Sequence, residues 1–288
     1  MRITIIGPGA IGLLLAASLK KENKLSVLVK KEKRDILKKK GLWITKGNQK
    51  KRINADIVTK LSDTDIVIIA VKAYDLKSTN AVLKDFRGKI IICQNGLEVI
   101  NYLPPNANDV SLIVTSVGAI SSDTGVSDYR GSGTTVIGSL TRNNKPMINF
   151  EGLFSEYYFT MNHVENIATL IWLKAVINSA INPIASLYNL KNGELKKDKY
   201  LILVKDLLNE SVSIAIANGI EFHDDPLEET MKIIDRTHDN ICSMLQDLRK
   251  GRKTEINEIN GLIAQIGKEK NMNTKLNSEY LEKIKSIS

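Results

Sequence analysis

The feature that most constrains the fold is a glycine pattern near the N-terminus, directly after a β-rich run. Arg2–Ile6 is typical of a strand, and Gly7-Pro8-Gly9-Ala10-Ile11-Gly12 follows it and leads into an apolar helical stretch. In such a turn the first glycine permits a tight bend, the second lets the backbone approach a pyrophosphate, and the third allows close packing of helix on sheet. The order strand, turn, helix therefore predicts a dinucleotide-binding unit, with these six residues at the diphosphate.

Hydrophobic periodicity divides the chain into two parts. In the first part short apolar runs predict these strands: Arg2–Ile6, Leu25–Val29, Ile66–Val71, Lys89–Cys93 and Leu112–Ala119. With Gly12–Lys21 and Lys33–Lys40 as crossover helices, the pattern is typical of a doubly wound, parallel α/β sheet of the Rossmann type. Thr134–Ile137 is expected to add a late, antiparallel strand near the edge.

The second part is helical almost to its end. The stretches with helical spacing are Ile167–Ile181, Tyr200–Asn218, Pro226–Arg249, Thr254–Lys268 and Ser278–Ile287. Asp225 before Pro226 is a good helix start, and Gly219 is a good helix stop. We therefore predict a Rossmann domain over residues 1–165 and an all-α domain over residues 166–288.

The end of the second strand indicates which dinucleotide is bound. The chain reads Val27-Leu28-Val29-Lys30-Lys31, with no carboxylate until Glu32. An acid at this point would bind the ribose 2′-hydroxyl of NAD and repel a 2′-phosphate, whereas two ammonium groups suit a phosphate. Lys30 and Lys31 thus favour NADP(H); the alternative is that both are solvated turn residues.

A line of polar residues crosses an otherwise apolar helical stretch. Lys174, Asn178 and Asn182 are four residues apart and share one helical face. Burial disfavours a charged lysine, which would make Lys174 useful as a proton donor near neutral pH, and the two amides could hold a carboxylate or hydroxyl. A lysine that reaches solvent, with asparagines beside a kink at Pro183, explains the spacing equally well.

Glu255 also stands out, because it shares an apolar stripe with Ile259, Leu262 and Ile266. Unpaired carboxylates are rarely buried, so Glu255 needs a partner such as Lys174 or a ligand hydroxyl. A structural ion pair would satisfy it as well.

Composition argues against several other classes of protein. The net charge is +9, but aromatic residues make up only 5% and are not interleaved with the lysine runs, so nucleic-acid binding is not expected. We find no signal peptide pattern, no metal-ligand spacing and no apolar run of the roughly 18–20 residues that span a bilayer. A cytoplasmic protein without a metal site is therefore expected.

Taken together, these motifs resemble the ketopantoate reductase family (2-dehydropantoate 2-reductases) over residues 1 to about 270. The segments that carry the resemblance are Gly7–Gly12, Val71-Lys72-Ala73, Gln94-Asn95-Gly96, Lys174-x3-Asn178-x3-Asn182-Pro183, Asn192-Gly193-Glu194-Leu195, Ser243-Met244-Leu245-Gln246-Asp247 and Thr254-Glu255-Ile256. The family implies NADPH-dependent reduction of ketopantoate to pantoate, a step toward pantothenate and coenzyme A.

The resemblance also implies roles for individual residues. Lys174 is similar to the family's proton donor, and Glu255 to the acid beside substrate and cofactor. The positions similar to those that hold substrate are Asn178, Asn182, Asn192, Asn240 and Ser243. Lys72, Asn95 and Ile120 match cofactor contacts. Lys30 departs from the family's usual arginine, and loses the bidentate fork.

Other functions remain open at this point. A paralogue could reduce another small 2-keto acid, because pocket shape decides the substrate. A non-catalytic NADPH sensor would keep the nucleotide-binding unit but would not need Lys174 and Glu255. A homodimer is a further option, because helical C-terminal domains of such reductases often supply dimer contacts.

Overall fold

The computed structural model describes residues 1–102, 110–139 and 152–288. They form two compact units: Met1–Gln94 with Tyr102–Ile167, and Asn95–Asn101 with Ala168–Ser288. We call these the sheet unit and the helical unit. The boundary after residue 165 stays a prediction, because compactness alone does not show that each part folds independently.

Strands occur in the sheet unit. They are β1 (Arg2–Ile6), β2 (Lys24–Leu28), β3 (Leu42–Lys46), β4 (Gln49–Ile53), β5 (Asp56–Val58), β6 (Ile66–Ile69), β7 (Lys89–Cys93), β8 (Val110–Thr115), β9 (Gly118–Asp123), β10 (Val126–Gly131), β11 (Thr135–Ser139) and β12 (Met161–His163). Eight form one sheet in the order β12-β11-β8-β7-β6-β1-β2-β5. Its central strands are parallel and buried, with every residue of β6 in the core, as expected for strands covered on both faces. The predicted parallel α/β sheet is therefore confirmed.

The late strand is confirmed as well. β11 pairs antiparallel with β8, with Thr135 opposite Thr115, and among the described strands β12 alone lies outside it. The predicted single strand Leu112–Ala119 is wrong, however, because β8 ends at Thr115 and β9 belongs to a different sheet. A continuous run of small and apolar residues does not mark the point where the chain changes sheets.

The second sheet was not predicted. It has four strands in the order β4-β3-β10-β9, and α1 (Ala10–Ser18) packs against all four. A two-residue turn, Gly47-Asn48, joins β3 to β4, and Gly47 has a φ of +57°. The signal was missed because β4 carries an exposed basic run, Lys50-Lys51-Arg52, of the kind that protects an edge strand from further pairing.

Each stretch that was predicted to be helical contains a helix, but the bounds differ from the prediction. After α1 they are α2 (Lys31–Lys40), α3 (Asn80–Leu83), α4 (Glu98–Asn101), α5 (Ile167–Leu187), α6 (Asp198–Ala217), α7 (Pro226–Arg236), α8 (Ser243–Arg249), α9 (Leu262–Glu269) and α10 (Lys275–Lys285). Residues Ala73–Thr79 and Asn192–Lys196 form 3₁₀ helices, and Asn257–Gly261 a π-helix.

The predicted caps are confirmed. Asp225 Oδ1 accepts the Leu227 N–H at 2.9 Å at the start of α7. At the end of α6, Gly219 has a φ of +83°, and the Gly219 and Ile220 amides donate to the Ile216 and Ala215 carbonyls. The predicted continuous helix Pro226–Arg249 is wrong, because residues 237–242 form a loop between α7 and α8.

The apolar stripe predicted through Glu255 is also partly wrong. Glu255 is 6% exposed, as expected, but it lies in a bend ahead of the helix. The π-helix then inserts one residue, shown by the Gly261 N–H that donates to the Ile256 carbonyl. The buried face after the π-helix begins is therefore displaced by one position, and it consists of Ile259, Asn260, Ile263, Ala264 and Gly267. Leu262 and Ile266 are only half-buried.

Helix α5 is more apolar than the sequence analysis allowed. By length and composition it could cross a membrane, with a mean hydropathy of 1.4 over its most apolar 18 residues. However, 72% of that window is buried inside the protein, as in the central helix of a soluble protein. Val176, Ala180 and Ile184 are fully buried along it.

Candidate active site

The glycine turn has the geometry that its sequence requires. Gly7 has a φ of +107°, and a Cβ there would lie 2.7 Å from the Ala70 carbonyl oxygen. A Cβ on Gly12 would collide with the Gly7 carbonyl oxygen, so α1 can pass this close only without a side chain. By contrast, a Cβ on Gly9 would meet nothing within 4 Å. Two glycines are thus needed for packing, and the third leaves open space.

That open space lies at the N-terminus of α1, a position that can bind an anion. The first main-chain bond of the helix is from Leu13 N–H to the Gly9 carbonyl, at 2.9 Å. The amides of Ala10, Ile11 and Gly12 precede it, and the N-cap makes no side-chain hydrogen bond to them. Amides at a helix N-terminus favour anions through both hydrogen bonding and the helix dipole. Pro8 is half-buried beside this turn.

Lys30 and Lys31 lie where the sequence analysis expected them. Lys30 is the N-cap of α2, one residue after the buried Val29, and Lys31 begins the helix. Both side chains are exposed, and the first acid in the helix is Glu32. The pair therefore offers two cations to a phosphate beyond the end of β2.

The ends of β6 and β7 are joined by one side chain. Gln94 Nε2 donates to the Val71 carbonyl at 2.9 Å and approaches the Lys72 carbonyl at 3.4 Å. Lys72 is half-buried at the start of the 3₁₀ helix Ala73–Thr79. Ile120 belongs to the other, smaller sheet, where it lies on the edge strand β9 opposite Asp128.

In the helical unit, α5 carries the polar face predicted from the spacing. Lys174 and Asn178 are half-buried, and Asn182 is 5% exposed. The helix continues through Pro183 to Leu187, so the asparagines do not end it. The face thus becomes more enclosed toward Asn182.

A buried cysteine that the sequence analysis did not select joins this face to α8. Cys242 Sγ donates to the Asn182 carbonyl and contacts Ser186 Oγ, both at 3.7 Å. It is the N-cap of α8, where it accepts the Leu245 N–H at 3.5 Å. Burial raises the pKa of the Cys242 thiol, so it stays neutral and acts as a structural contact. Ser243, the exposed first residue of α8, directly follows Cys242 in the chain.

Asn192 and Asn240 are brought together mainly by their backbones. The backbone N–H of Asn192 donates to the Asn240 carbonyl at 2.9 Å, and its side-chain Nδ2 donates to Thr237 Oγ1 at 2.8 Å. Gly193 follows with a bond to the His238 carbonyl at 3.0 Å. Asn192 is 6% exposed whereas Asn240 is exposed, so only Asn240 presents its side chain to solvent.

The loop after β7 holds the buried acid. Asn95 Nδ2 lies 3.4 Å from Glu255 Oε2, and the two residues are 160 positions apart in the chain. The loop rests on the π-helix, because Leu97 N–H points to the Glu258 carbonyl at 3.4 Å. Gly96, with a φ of +91°, leaves no room for a Cβ, which would lie 2.8 Å from that carbonyl. Asn95 is therefore positioned against Glu255 by backbone as well as side-chain contacts.

A second acid, Glu258, lies on the π-helix in an unusual environment. Burial raises the pKa of Glu258, and the neighbouring Glu255 and Glu98 raise it further. Nothing in the sequence distinguished Glu258 from a surface acid. Within the described residues, no group of three or more His, Cys, Asp or Glu side chains could hold a metal ion.

Comparison with known proteins identifies the family of the chain. The family model described as ketopantoate reductase PanE/ApbA matches residues 3–142, and its C-terminal counterpart matches residues 166–288. A 2-dehydropantoate 2-reductase of Pyrococcus horikoshii is 30% identical over 286 residues, which are 96% of this chain and 94% of the relative.

Solved structures share the fold. D-mandelate dehydrogenase with NADH and anilino(oxo)acetate has a TM-score of 0.88 at 22% identity, over 100% of this chain and 98% of that one. A dimeric ketopantoate reductase from Staphylococcus aureus has a TM-score of 0.78 at 23% identity, over 100% and 98% of the two chains. With both family models and a relative along nearly the whole length, the chain belongs to the ketopantoate reductase family.

Proposed function

We propose that this protein is an NADPH-dependent reductase that converts ketopantoate to pantoate. The observation that carries the proposal is the contact of Asn95 with the buried Glu255, in the unit that also contains the Lys174–Asn182 face. Burial of a carboxylate costs free energy, so a buried carboxylate usually has a structural or a chemical role. Family membership supports the chemical role.

The sheet unit would hold the cofactor. Gly7–Gly12 fit the diphosphate through free amides and open space, Lys30 and Lys31 fit a 2′-phosphate, and Lys72 and Ile120 are further contacts in that unit. Asn95, in the helical unit, is an additional cofactor contact. When bound, NADPH supplies the hydride that reduces the ketone carbon.

The helical unit would hold the substrate and supply the proton. Lys174 Nζ donates a proton to the ketone oxygen, which becomes the hydroxyl of the product. Glu255, which Asn95 contacts, would lie beside the substrate and the cofactor. Asn178 and Asn182 hold the carboxylate and hydroxyl of the substrate along one helical face.

Asn240 and Ser243 complete the substrate contacts from the loop before α8 and the start of that helix. We assign Asn192 an indirect role in substrate binding, because its side-chain amide is already bonded to Thr237. It holds the Asn240 loop in place through the backbone bond between the two residues.

A second candidate is the reduction of another small 2-keto acid. The fold of this chain is shared with a D-mandelate dehydrogenase, so the architecture is compatible with a different side chain on the substrate. A non-catalytic NADPH sensor is a weaker candidate, since it would not require the contact of Asn95 with Glu255.

Oxidation of NADPH with ketopantoate and a panel of 2-keto acids tests the proposal, with NADH as the control cofactor. We expect ketopantoate to give the highest kcat/KM. A higher kcat/KM for another acid would favour the second candidate, and no turnover with any acid despite NADPH binding would favour the sensor.

Two further properties are proposed on the same basis. We expect the protein to work in the cytoplasm and to form a homodimer, as the related enzyme from Staphylococcus aureus is dimeric. Light scattering of the purified protein measures the mass directly, and a monomer at micromolar concentration would contradict the second expectation.

A further inference from the structure

Proline at position 183 leaves a main-chain acceptor without its helical donor. Pro183 lies inside α5, which continues to Leu187. In an α-helix the N–H of residue 183 would donate to the carbonyl of Ser179, but proline has no N–H. Ser179 is 0% exposed, so water cannot replace the missing bond. A buried carbonyl in this position needs another donor.

The donor comes from the π-helix. Asn260 Nδ2 donates to the Ser179 carbonyl at 3.0 Å and to Asn277 Oδ1 at 3.0 Å, so both amide hydrogens are used. Asn260 is 0% exposed. Ser179 and Asn260 are 81 residues apart in the chain, and the bond joins the middle of α5 to the segment that begins at Glu255.

The contact belongs to a closed ring of hydrogen bonds. Asn277 Nδ2 donates to Ser211 Oγ at 3.0 Å, and Ser211 Oγ lies 2.8 Å from Ser179 Oγ. With the two bonds of Asn260, the ring joins α5, α6, the π-helix and α10. All four residues are 0% exposed. A buried ring of hydrogen bonds of this kind fixes the relative placement of the elements that it joins.

A carboxylate outside the ring, that of Glu210, holds Asn277 in place through hydrogen bonds. Glu210 on α6 accepts the backbone amides of Leu276 and Asn277 at 2.9 and 2.8 Å, and the Asn277 side-chain amide at 2.9 Å. This acid from another helix caps α10, whose own N-cap makes no side-chain bond. Asn277, and through it Asn260, is thus held in one orientation.

We propose that Asn260 is a positioning residue: it replaces the N–H that Pro183 lacks and thereby holds the Lys174–Asn182 face of α5 in register with Glu255. The proposal rests on the proposed function for its effect on catalysis. Lys174 lies nine residues before Pro183 on the same helix, and Glu255 lies five residues before Asn260. A displacement of about 1 Å between reacting groups can lower turnover by about 100-fold.

The test is a double-mutant cycle of Asn260→Leu and Pro183→Ala. Leucine is similar in size to asparagine and has no donor, and it also removes the Asn260 Oδ1 atom, which is buried without a hydrogen-bond partner among the described residues. Alanine at 183 restores an N–H that can reach the Ser179 carbonyl. The matched control is Asn257→Leu, an exposed asparagine on the same π-helix.

We expect Asn260→Leu to lower kcat by about 10- to 100-fold, with the KM for NADPH within about twofold of the parent. The double variant should recover most of the lost kcat, and Asn257→Leu should resemble the parent. Losses that simply multiply in the double variant would overturn the proposal. So would an unchanged kcat in Asn260→Leu.

Urea unfolding of the same four proteins gives a readout that needs no activity. The two substitutions should couple, with a smaller loss of midpoint for Asn260→Leu when alanine is at 183. If no 2-keto acid is turned over, the proposed function fails, and absence of coupling would separately overturn the role of Asn260. Should Asn260→Leu not fold, rescue of folding by Pro183→Ala supports the proposal and lack of rescue overturns it.

Discussion

The glycine turn and the polar face of α5 use the chain in opposite ways. At the turn, binding is prepared by backbone: Gly9 leaves open space beside free amides, and Gly7 and Gly12 are needed because any side chain would collide. On α5, the proposed chemistry belongs to side chains, and the placement of the helix depends on partners far away in sequence. A site made of backbone is local in sequence, whereas a site made of side chains depends on the packing of the whole unit.

The largest effect should come from the side-chain region. Lys174→Ala should lower kcat by about 10²- to 10⁴-fold, the range typical of a lost general acid. The Kd for NADPH should stay near that of the parent, because the turn is untouched. Steady-state kinetics and a fluorescence titration measure the two quantities. Lys205→Ala, at an exposed lysine on α6, is the matched control; unchanged turnover in Lys174→Ala would refute its assignment.

In the glycine turn, the next largest effect should be on the stability of the protein. Gly12→Ala forces a Cβ against the Gly7 carbonyl and should lower the free energy of unfolding by about 1–3 kcal/mol. Gly9→Ala meets nothing in the protein, so it should leave stability unchanged and weaken NADPH binding instead. Urea unfolding and NADPH titration of both variants separate the two effects. Equal destabilisation by both substitutions would contradict the distinction.

A smaller effect is expected where the sheet unit does use a side chain. Lys30→Gln should raise the KM for NADPH about 10-fold, because a hydrogen bond to a charged group contributes roughly 1.5 kcal/mol or more. The KM for NADH, which has no 2′-phosphate, should not change. Lys33→Gln, at an exposed lysine within α2, is the control. Equal changes for both cofactors would mean that Lys30 does not contact the 2′-phosphate.

The smallest effect should be a loss of stability at alkaline pH that arises in the helical unit. Burial raises the pKa of Tyr280 to about 12, from the ordinary value of 10. Because the unfolded phenol loses its proton first, stability is fully present below pH 10 and falls as the pH rises from 10 to 12. Thermal unfolding across this range should show the fall in the parent and a shallower one in Tyr280→Phe. Identical pH dependence in both proteins would contradict this.

The same distinction explains what could be predicted from sequence. β1 and β7 were predicted with their observed bounds, because a buried parallel strand is a continuous apolar run. The turn after β1 was predicted because each glycine has a local steric reason. The π-helix and the smaller sheet were not, since an inserted residue and a basic edge strand leave no periodic signal.

Within the candidate site, Lys174, Asn178 and Asn182 were grouped correctly because helical spacing is a local property. Cys242 and Asn260 were missed because their partners lie 60 and 81 residues away. Pro183 did contain half of the information: it identifies the carbonyl that loses its donor, although it does not identify which residue replaces the donor.

The membership of Asn95–Asn101 in the helical unit limits how the protein can be divided. The polypeptide leaves the sheet unit after Gln94, returns at Tyr102 and leaves again after Ile167. A fragment that begins at residue 166 would contain Glu255 but lack Asn95. Exchange of the whole helical unit between relatives therefore requires two separate pieces of gene, a seven-residue insert and the C-terminal portion, transferred together.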